Sequence, residues 1–243
     1  MEYREINQNR ASTKCTTALW KEYQLGRIPV IPDIKRKSPG EGDLMFGRNP
    51  LETARSLEQA GAPVISVVTE ADHYGGSLEL LREISEAVRV PVLRKDFIKT
   101  KEGLQETAAY GASGVLLISS ILEKEQLCQL IEEAYKLGLE PLVETHNEAE
   151  ILAVRDLNLS FIGINNRNII QWEMDDGNVN TTETLAGLVS PRVFLLSESS
   201  ISTPDDVERA ANAGAHGVLV GTAIHKAKDP AEMYQKLRVS RGE

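Results

Sequence analysis

The chain has few of the residues that hold proteins together through covalent links or metals. Only two cysteines occur in 243 residues, Cys15 and Cys128, far apart and without CxxC or Cys/His spacing. That pattern argues against a disulfide framework or a zinc site and favours two reduced thiols in a cytoplasmic protein. The four histidines, His73, His146, His216 and His225, lack ligand spacing and read as loop or helix-end residues, so no metal is expected. The longest mostly apolar stretch, around 114–122, falls well short of the ~18–20 residues of a membrane span. The polar start, Met1 to Glu5, is followed by no apolar segment, so no secretory signal is read. Basic residues are also scarce: 27 against 36 acidic ones leave a net charge of −9. Broad binding to nucleic acid or to an anionic membrane is excluded on that balance. An anionic ligand would need a positive potential built locally.

What is present is a recurring apolar pattern. Hydrophobic residues make up 41% of the chain, enough for a sizeable core. Short β-branched or leucine-rich runs fall at 30–34, 64–68, 92–94, 115–118, 141–144, 161–164, 193–196 and 218–220. Each is continuous rather than alternating, as strands buried on both faces require. Helical patterns lie between them. Leu127, Ile131, Ala134 and Gly138 share one face, as do Leu78, Leu81, Ser85 and Val88. Asn49-Pro50, Thr203-Pro204 and Asp229-Pro230 each place a capping residue before a proline at the first helical position. Asp205 and Asp206 then fall where the helix dipole favours negative charge. Gly61-Ala62, Gly111-Ala112 and Gly214-Ala215 sit where a helix should end and a strand begin. Eight strand–helix units in 243 residues predict one (β/α)8 barrel, with 1–28 as an N-terminal extension and the barrel from about 29. A doubly wound open sheet is the competitor, but no GxGxxG follows the first strand. The segment 11–23 is expected to supply one helix.

Barrel sites lie at the C-terminal strand ends. The first run leads into Asp33-Ile34-Lys35-Arg36-Lys37-Ser38-Pro39, and the third ends in Arg94-Lys95-Asp96-Phe97. The fifth ends in Glu144, the sixth in Asn165-Asn166-Arg167, the seventh in Ser197-Glu198-Ser199-Ser200 and the eighth in Gly221-Thr222-Ala223. Inward-pointing alternate positions would bring lysines, carboxylates, an asparagine and an arginine to one mouth. Each residue alone has a plain structural explanation; Arg167, for instance, could tie a loop to Asp175 or Asp176. Strand ends serving solubility only would not collect ionisable groups so consistently. Lysine and glutamate facing one cavity make an acid and a base for one substrate, and neighbouring lysines are expected to depress at least one pKa. The loops after the seventh and eighth strands lie where barrels commonly hold phosphate.

These motifs, together with Ser66-Val67-Val68-Thr69-Glu70, Gly76-Ser77 and Leu142-Val143-Glu144, occur in an order that resembles the indole-3-glycerol phosphate synthase family over about residues 29–237. The resemblance implies ring closure of 1-(2-carboxyphenylamino)-1-deoxyribulose 5-phosphate, with loss of CO2 and water and without cofactor or metal. It implies Lys95 as general acid, Lys35 as assisting cation or second acid, Glu144 as base or charge stabiliser and Asn165 as orienting group, with Asp33 and Glu198 completing the catalytic set. Arg167 would meet the substrate carboxylate. Ser38, Ser199, Ser200, Gly221 and Thr222 would hold the phosphate, while Tyr74 and Phe97 would enclose the aromatic ring. The implied partner is a small phosphorylated molecule, with no nucleic acid and no membrane. A monomer and association with other enzymes of tryptophan biosynthesis both stay open.

Four features depart from the family pattern. Asp33 stands where a glutamate is usual, Ser200 where a glycine is usual, and Thr222-Ala223-Ile224-His225 replaces a Leu-Met ending. A positive φ at Ser200 would carry strain. The N-terminal extension, which in the family helps to cover the site, is short. The alternatives are a paralogous barrel enzyme acting on another amino-sugar phosphate and a catalytically silent phosphate-binding barrel.

Overall fold

The computed structural model describes residues 14–167 and 177–242. Eight parallel strands close into a barrel: β1 (Val30–Ile34), β2 (Ile65–Val68), β3 (Val92–Lys95), β4 (Gly114–Ile118), β5 (Glu140–Thr145), β6 (Phe161–Asn165), β7 (Phe194–Glu198) and β8 (Gly217–Val220). Each strand pairs with its sequence neighbours, and β1 closes the ring by pairing Val30 with Val218 of β8 and Asp33 with Ser66 of β2. Closure removes the open-sheet alternative. The helices are α1 (Cys15–Gln24), α2 (Pro50–Gln59), α3 (Leu78–Ala87), α4 (Lys101–Ala109), α5 (Lys124–Lys136), α6 (Glu148–Val154), α7 (Asn180–Leu185), α8 (Pro204–Asn212), α9 (Thr222–Lys226) and α10 (Pro230–Leu237). A short antiparallel ribbon, Lys37–Ser38 against Gly42–Asp43, rises from the loop after β1.

Local chemistry explains the helix ends. The side chain of Asn49 accepts from the N–H groups of Leu51 and Glu52, and that of Asp229 accepts from Ala231 and Glu232. Thr203 and Asp206 form a reciprocal capping box at the start of α8, which uses one of the two acids expected there. Gly61, Gly111 and Gly214 all have positive φ, at 96°, 83° and 113°, as helix-terminating glycines should. Two expected helix faces shift. Helix α5 stops at Lys136, so Gly138 lies beyond its C-cap at φ 76° rather than on its buried face. In α3 the buried set is Leu80, Leu81, Ile84 and Ser85, leaving Leu78 half-buried.

Two apolar layers follow from the two-residue period of the strands. One set, including Val30, Ile34, Val92, Val143 and Leu195, points outward and packs under the helices. The other, including Ile31, Leu93, Leu116, Leu142, Phe161, Phe194 and Leu196, fills the barrel interior. Cys15 and Leu19 of α1 belong to this inner layer, and Trp20 meets Phe194 edge-on at 5.0 Å between centroids. Phe194 and Phe161 open their strands, so α1 closes the N-terminal end of the barrel. The described part of the N-terminal extension therefore lies away from the mouth where the strands end. The helical segment begins at Cys15; residues 11–13 of the expected helix lie outside the described residues.

Glu140, the first residue of β5 and almost fully buried, fastens α1 in place. Its carboxylate accepts from Thr16 N–H at 2.9 Å, Thr16 Oγ1 at 2.6 Å and Ser160 Oγ at 2.7 Å. Removing it leaves buried donors unpaired, at about 1–3 kcal/mol for such a group. Glu140→Ala is accordingly expected to destabilise the protein by about 3 kcal/mol, read as a lower midpoint in urea unfolding followed by circular dichroism.

Candidate active site

At the opposite end, the inward positions that are apolar deep in the barrel become polar toward the mouth. In β1 the inward series is Ile31, Asp33 and then Lys35; in β3 it is Leu93 and Lys95; in β5, Leu142 and Glu144. In β6 it is Phe161, Gly163 and Asn165, and in β7 Phe194, Leu196 and Glu198. Register aligns them: Ile118 of β4 lies beside Glu144, and Asn165 beside Glu198. The resulting cavity of about 490 Å³ is lined by Asp33, Lys35, Lys95, Glu144, Asn165 and Arg167. Tyr74 and Phe97 form part of its wall, and Ser199, Ser200, Gly221 and Thr222 line the side beneath β7 and β8.

Two expected site residues are not in the lining. Glu198 lies beneath the cavity, fully buried, and pairs with Lys95. Ser38 is buried in the ribbon, with its hydroxyl 3.4 Å from the Lys35 ammonium. Arg94, read from sequence as a cation at the mouth, points the other way. Strand alternation turns it outward, where it donates to Thr69 Oγ1, Gly103 O, Thr107 Oγ1 and Asp96 Oδ2 and ties β3 to α4. Sequence reasoning missed Lys226, Glu41 and Glu70 in the lining. Lys226 follows the strand end by a full helical turn, and its pairing with Glu41 across the mouth at 2.5 Å joins segments with no local sequence signal. Asp175 and Asp176, the structural partners considered for Arg167, lie outside the described residues.

The centre of the cavity is a cation held between two acids. Lys95 Nζ donates to Glu144 Oε2 and Glu198 Oε2, both at 3.0 Å. Burial alone would lower the pKa of this ammonium, but the carboxylates of Glu144, Glu198 and Asp33 outweigh it and hold Lys95 well above its ordinary value. The expected depressed lysine is therefore not found at Lys95. Burial also acts to raise Glu144, yet Lys95 and His146 keep it well below the usual carboxylate range. Glu198 goes the opposite way: burial and the charge of Glu144 push it up to about 7 despite Lys95. The two acids on one lysine thus differ in protonation, which is how one pocket keeps both a base and a proton store.

Backbone close by makes this geometry possible. A Cβ at Gly163 would lie 2.1 Å from Glu198 Oε1, so any larger residue there would force that carboxylate out of its present position beside Lys95. Asp33 accepts from Ser66 Oγ at 2.6 Å, and its carbonyl lies 2.9 Å from His225 Nε2. Asn166 clamps the β6 and β7 ends together: its amide donates to Ser197 Oγ and to the carbonyls of Glu198 and Ser199, while its oxygen accepts from Thr182. That clamp holds Ser199 and Ser200 in successive left-handed conformations, at φ 67° and 58°. The strain anticipated at Ser200 is present.

Fold and site together define a (β/α)8-barrel enzyme with acid–base machinery at the C-terminal mouth. The model of the indole-3-glycerol phosphate synthase family matches residues 2–237, and the chain belongs to that family. It is 45% identical over 208 residues to the indole-3-glycerol phosphate synthase of Thermococcus kodakarensis, covering 86% of this chain and 91% of that protein. The enzyme of that name from Pyrococcus furiosus is also 45% identical, over 86% of this chain and 90% of the relative. That of Streptococcus gordonii is 36% identical over 242 residues, covering 100% of this chain and 92% of the relative. Among the described residues, no helix is long and apolar enough to cross a membrane.

Two consequences of the geometry are measurable. Ser200→Gly relieves a left-handed backbone and should stabilise the fold by about 1 kcal/mol in urea unfolding. Between the ordinary 4.5 and about 7, folded Glu198 keeps a proton that the unfolded chain has released, so its contribution to stability falls as pH rises through that window. The drop in Tm from pH 5 to pH 8 should accordingly be smaller in Glu198→Gln than in the unmodified protein.

Proposed function

We propose that this cavity closes the indole ring of 1-(2-carboxyphenylamino)-1-deoxyribulose 5-phosphate, releasing CO2 and water to give indole-3-glycerol phosphate. The observation that carries the reading is the Lys95 ammonium, presented to the cavity while two buried carboxylates grip it. Family membership supports the same reaction.

In the first step the aromatic carbon bearing the carboxylate attacks the ketone carbon, forming the new C–C bond. Lys95 gives its proton to the ketone oxygen as charge develops there, and Lys35, close to the ring of Tyr74, adds a second positive charge. Breaking the bond to the carboxylate releases CO2 and returns its electron pair to the ring. Lys35 then gives a proton to the hydroxyl, which leaves as water, while Glu144, held ionised, accepts the proton lost from the adjacent carbon; proton exchange with solvent resets the three groups. Asn165 orients the substrate; its side-chain oxygen is itself fixed by the N–H of Arg167 at 3.0 Å. The guanidinium of Arg167 suits the planar carboxylate of the substrate. Tyr74 and Phe97 enclose the aromatic ring. Glu198 and Asp33 tune Lys95 from below. Ser199, Ser200, Gly221 and Thr222 receive the phosphate, where small residues let backbone approach an anion, while Ser38 supports Lys35 from outside the lining. The unpaired thiols Cys15 and Cys128 favour a reducing compartment, the cytoplasm.

Purified protein given the carboxyphenylamino substrate should generate indole fluorescence, and Lys95→Met should lower kcat by about 10²–10⁴-fold with little change in KM. No product from the unmodified protein at high concentration would overturn the reading. Retained affinity for inorganic phosphate without turnover would point to a different amino-sugar phosphate as substrate.

A further inference from the structure

The loop after β5 carries a buried chain of charges that ring closure, as described above, leaves unused. His146 follows Glu144 by two residues, and its Nε2 lies 3.2 Å from Glu144 Oε1. Its Nδ1 lies 3.0 Å from Oε2 of Glu150, in the first turn of α6. Glu150 is fixed in turn. Its Oε2 accepts from the backbone N–H of His146 at 2.9 Å and from Ser119 Oγ at 2.8 Å, and its Oε1 from the Asn147 amide at 2.6 Å. Only 11% of the His146 side chain is exposed.

Each oxygen of Glu144 therefore faces a different cation: Oε2 meets Lys95 from β3, and Oε1 meets His146 from the loop after β5. Among the described residues, neither Oε1 nor His146 Nε2 has a hydrogen-bond partner, so these two buried atoms face each other at 3.2 Å as a charge pair. A carboxylate held at one oxygen only can turn about its last bond; a cation at the other oxygen opposes that turn.

We propose that His146 is a positioning residue for proton transfer, which with Glu150 behind it holds Glu144 in one orientation as an ionised base. The role given to Glu144 rests on the ring-closure reading; the pairing of the three side chains does not. Burial disfavours the charged imidazole, but Glu144 and Glu150 outweigh it and raise His146 to about 9, so the ring stays a cation at neutral pH. The groups facing it are these two carboxylates, with Lys95 beyond Glu144. The arrangement follows the general logic in which an outer partner orients the group that does the chemistry.

Two measurements test it. In a 13C NMR titration of labelled histidine, His146 should change charge near pH 9, and Glu150→Gln should lower that midpoint by about one unit or more. A midpoint near the ordinary 6.5 in the unmodified protein would overturn the pairing and the proposal with it. In steady-state kinetics, His146→Ala should lower kcat by about 10–100-fold with KM changed by less than about twofold. The acid limb of kcat should also move up by about one pH unit, because Glu144 has lost a neighbouring cation. His146→Asn, which can donate to Oε1 but carries no charge, should recover part of kcat and keep the displaced limb. Unchanged kcat and an unmoved limb in both variants, with fold retained by circular dichroism, would overturn the proposal. A midpoint near 9 with no indole product from the unmodified protein would instead overturn the ring-closure reading on which the proposal depends.

Discussion

The structure depends on one electrostatic arrangement, an ammonium shared by two carboxylates inside a closed sheet. Burying Lys95, Glu144 or Glu198 singly would cost several kcal/mol, and the three are tolerable only as a set. The set exists because strand pairing fixes where inward positions fall. Lys95 reaches the cavity while Arg94, one residue earlier, reaches the helical layer. A slip of one residue in the register of β3 would exchange those destinations, placing a guanidinium in the cavity and stranding the amine. Apolar residues deeper in the barrel, from Ile31 to Leu196, hold that register and are thereby part of the geometry of the cavity.

The charge pattern of the mouth is more mixed than the sequence implied. Four cations, Lys35, Lys95, Arg167 and Lys226, line the cavity with five acids, Asp33, Glu41, Glu70, Asp96 and Glu144. The negative excess of the chain is therefore not confined to its outer surface, and no broad positive field draws in a phosphorylated substrate. Recognition has to come from individually placed groups. On the ring-closure reading, Arg167 on one strand end and the Ser199–Ser200 and Gly221–Thr222 turns on the next two are those groups, at separate points of one wall.

Much of this is legible in the amino-acid sequence. Strands appeared as continuous apolar runs because both faces of each are covered, and their bounds moved by only a residue or two. Helix starts were legible where an Asn, Thr or Asp precedes proline, since capping is a local matter. Strand-end polar residues were legible because the barrel interior narrows the choice of what can follow an apolar run. Three things were not. The direction of Arg94 depends on the exact end of β3, the least secure feature of any sequence reading. The placement of α1 at the far end of the barrel depends on Glu140, which is read as one more surface acid until Thr16 and Ser160 are seen against it. The differing protonation of Glu144 and Glu198 depends on distances of 3.0 Å between residues 103 and 49 positions from Lys95.

Gly163 adds a historical constraint. The space it leaves empty is occupied by the carboxylate of Glu198, so a change at one position alters what the other can hold. A lineage could shorten or lose the acid first and later gain a side chain in β6 at no steric cost, whereas the reverse order would first push the acid off its place beside Lys95. Once such a side chain is in place, a glutamate in β7 could return only in a different rotamer, away from that place. A glycine without any polar atom of its own in the cavity thus acts as a ratchet on the chemistry its neighbour can evolve.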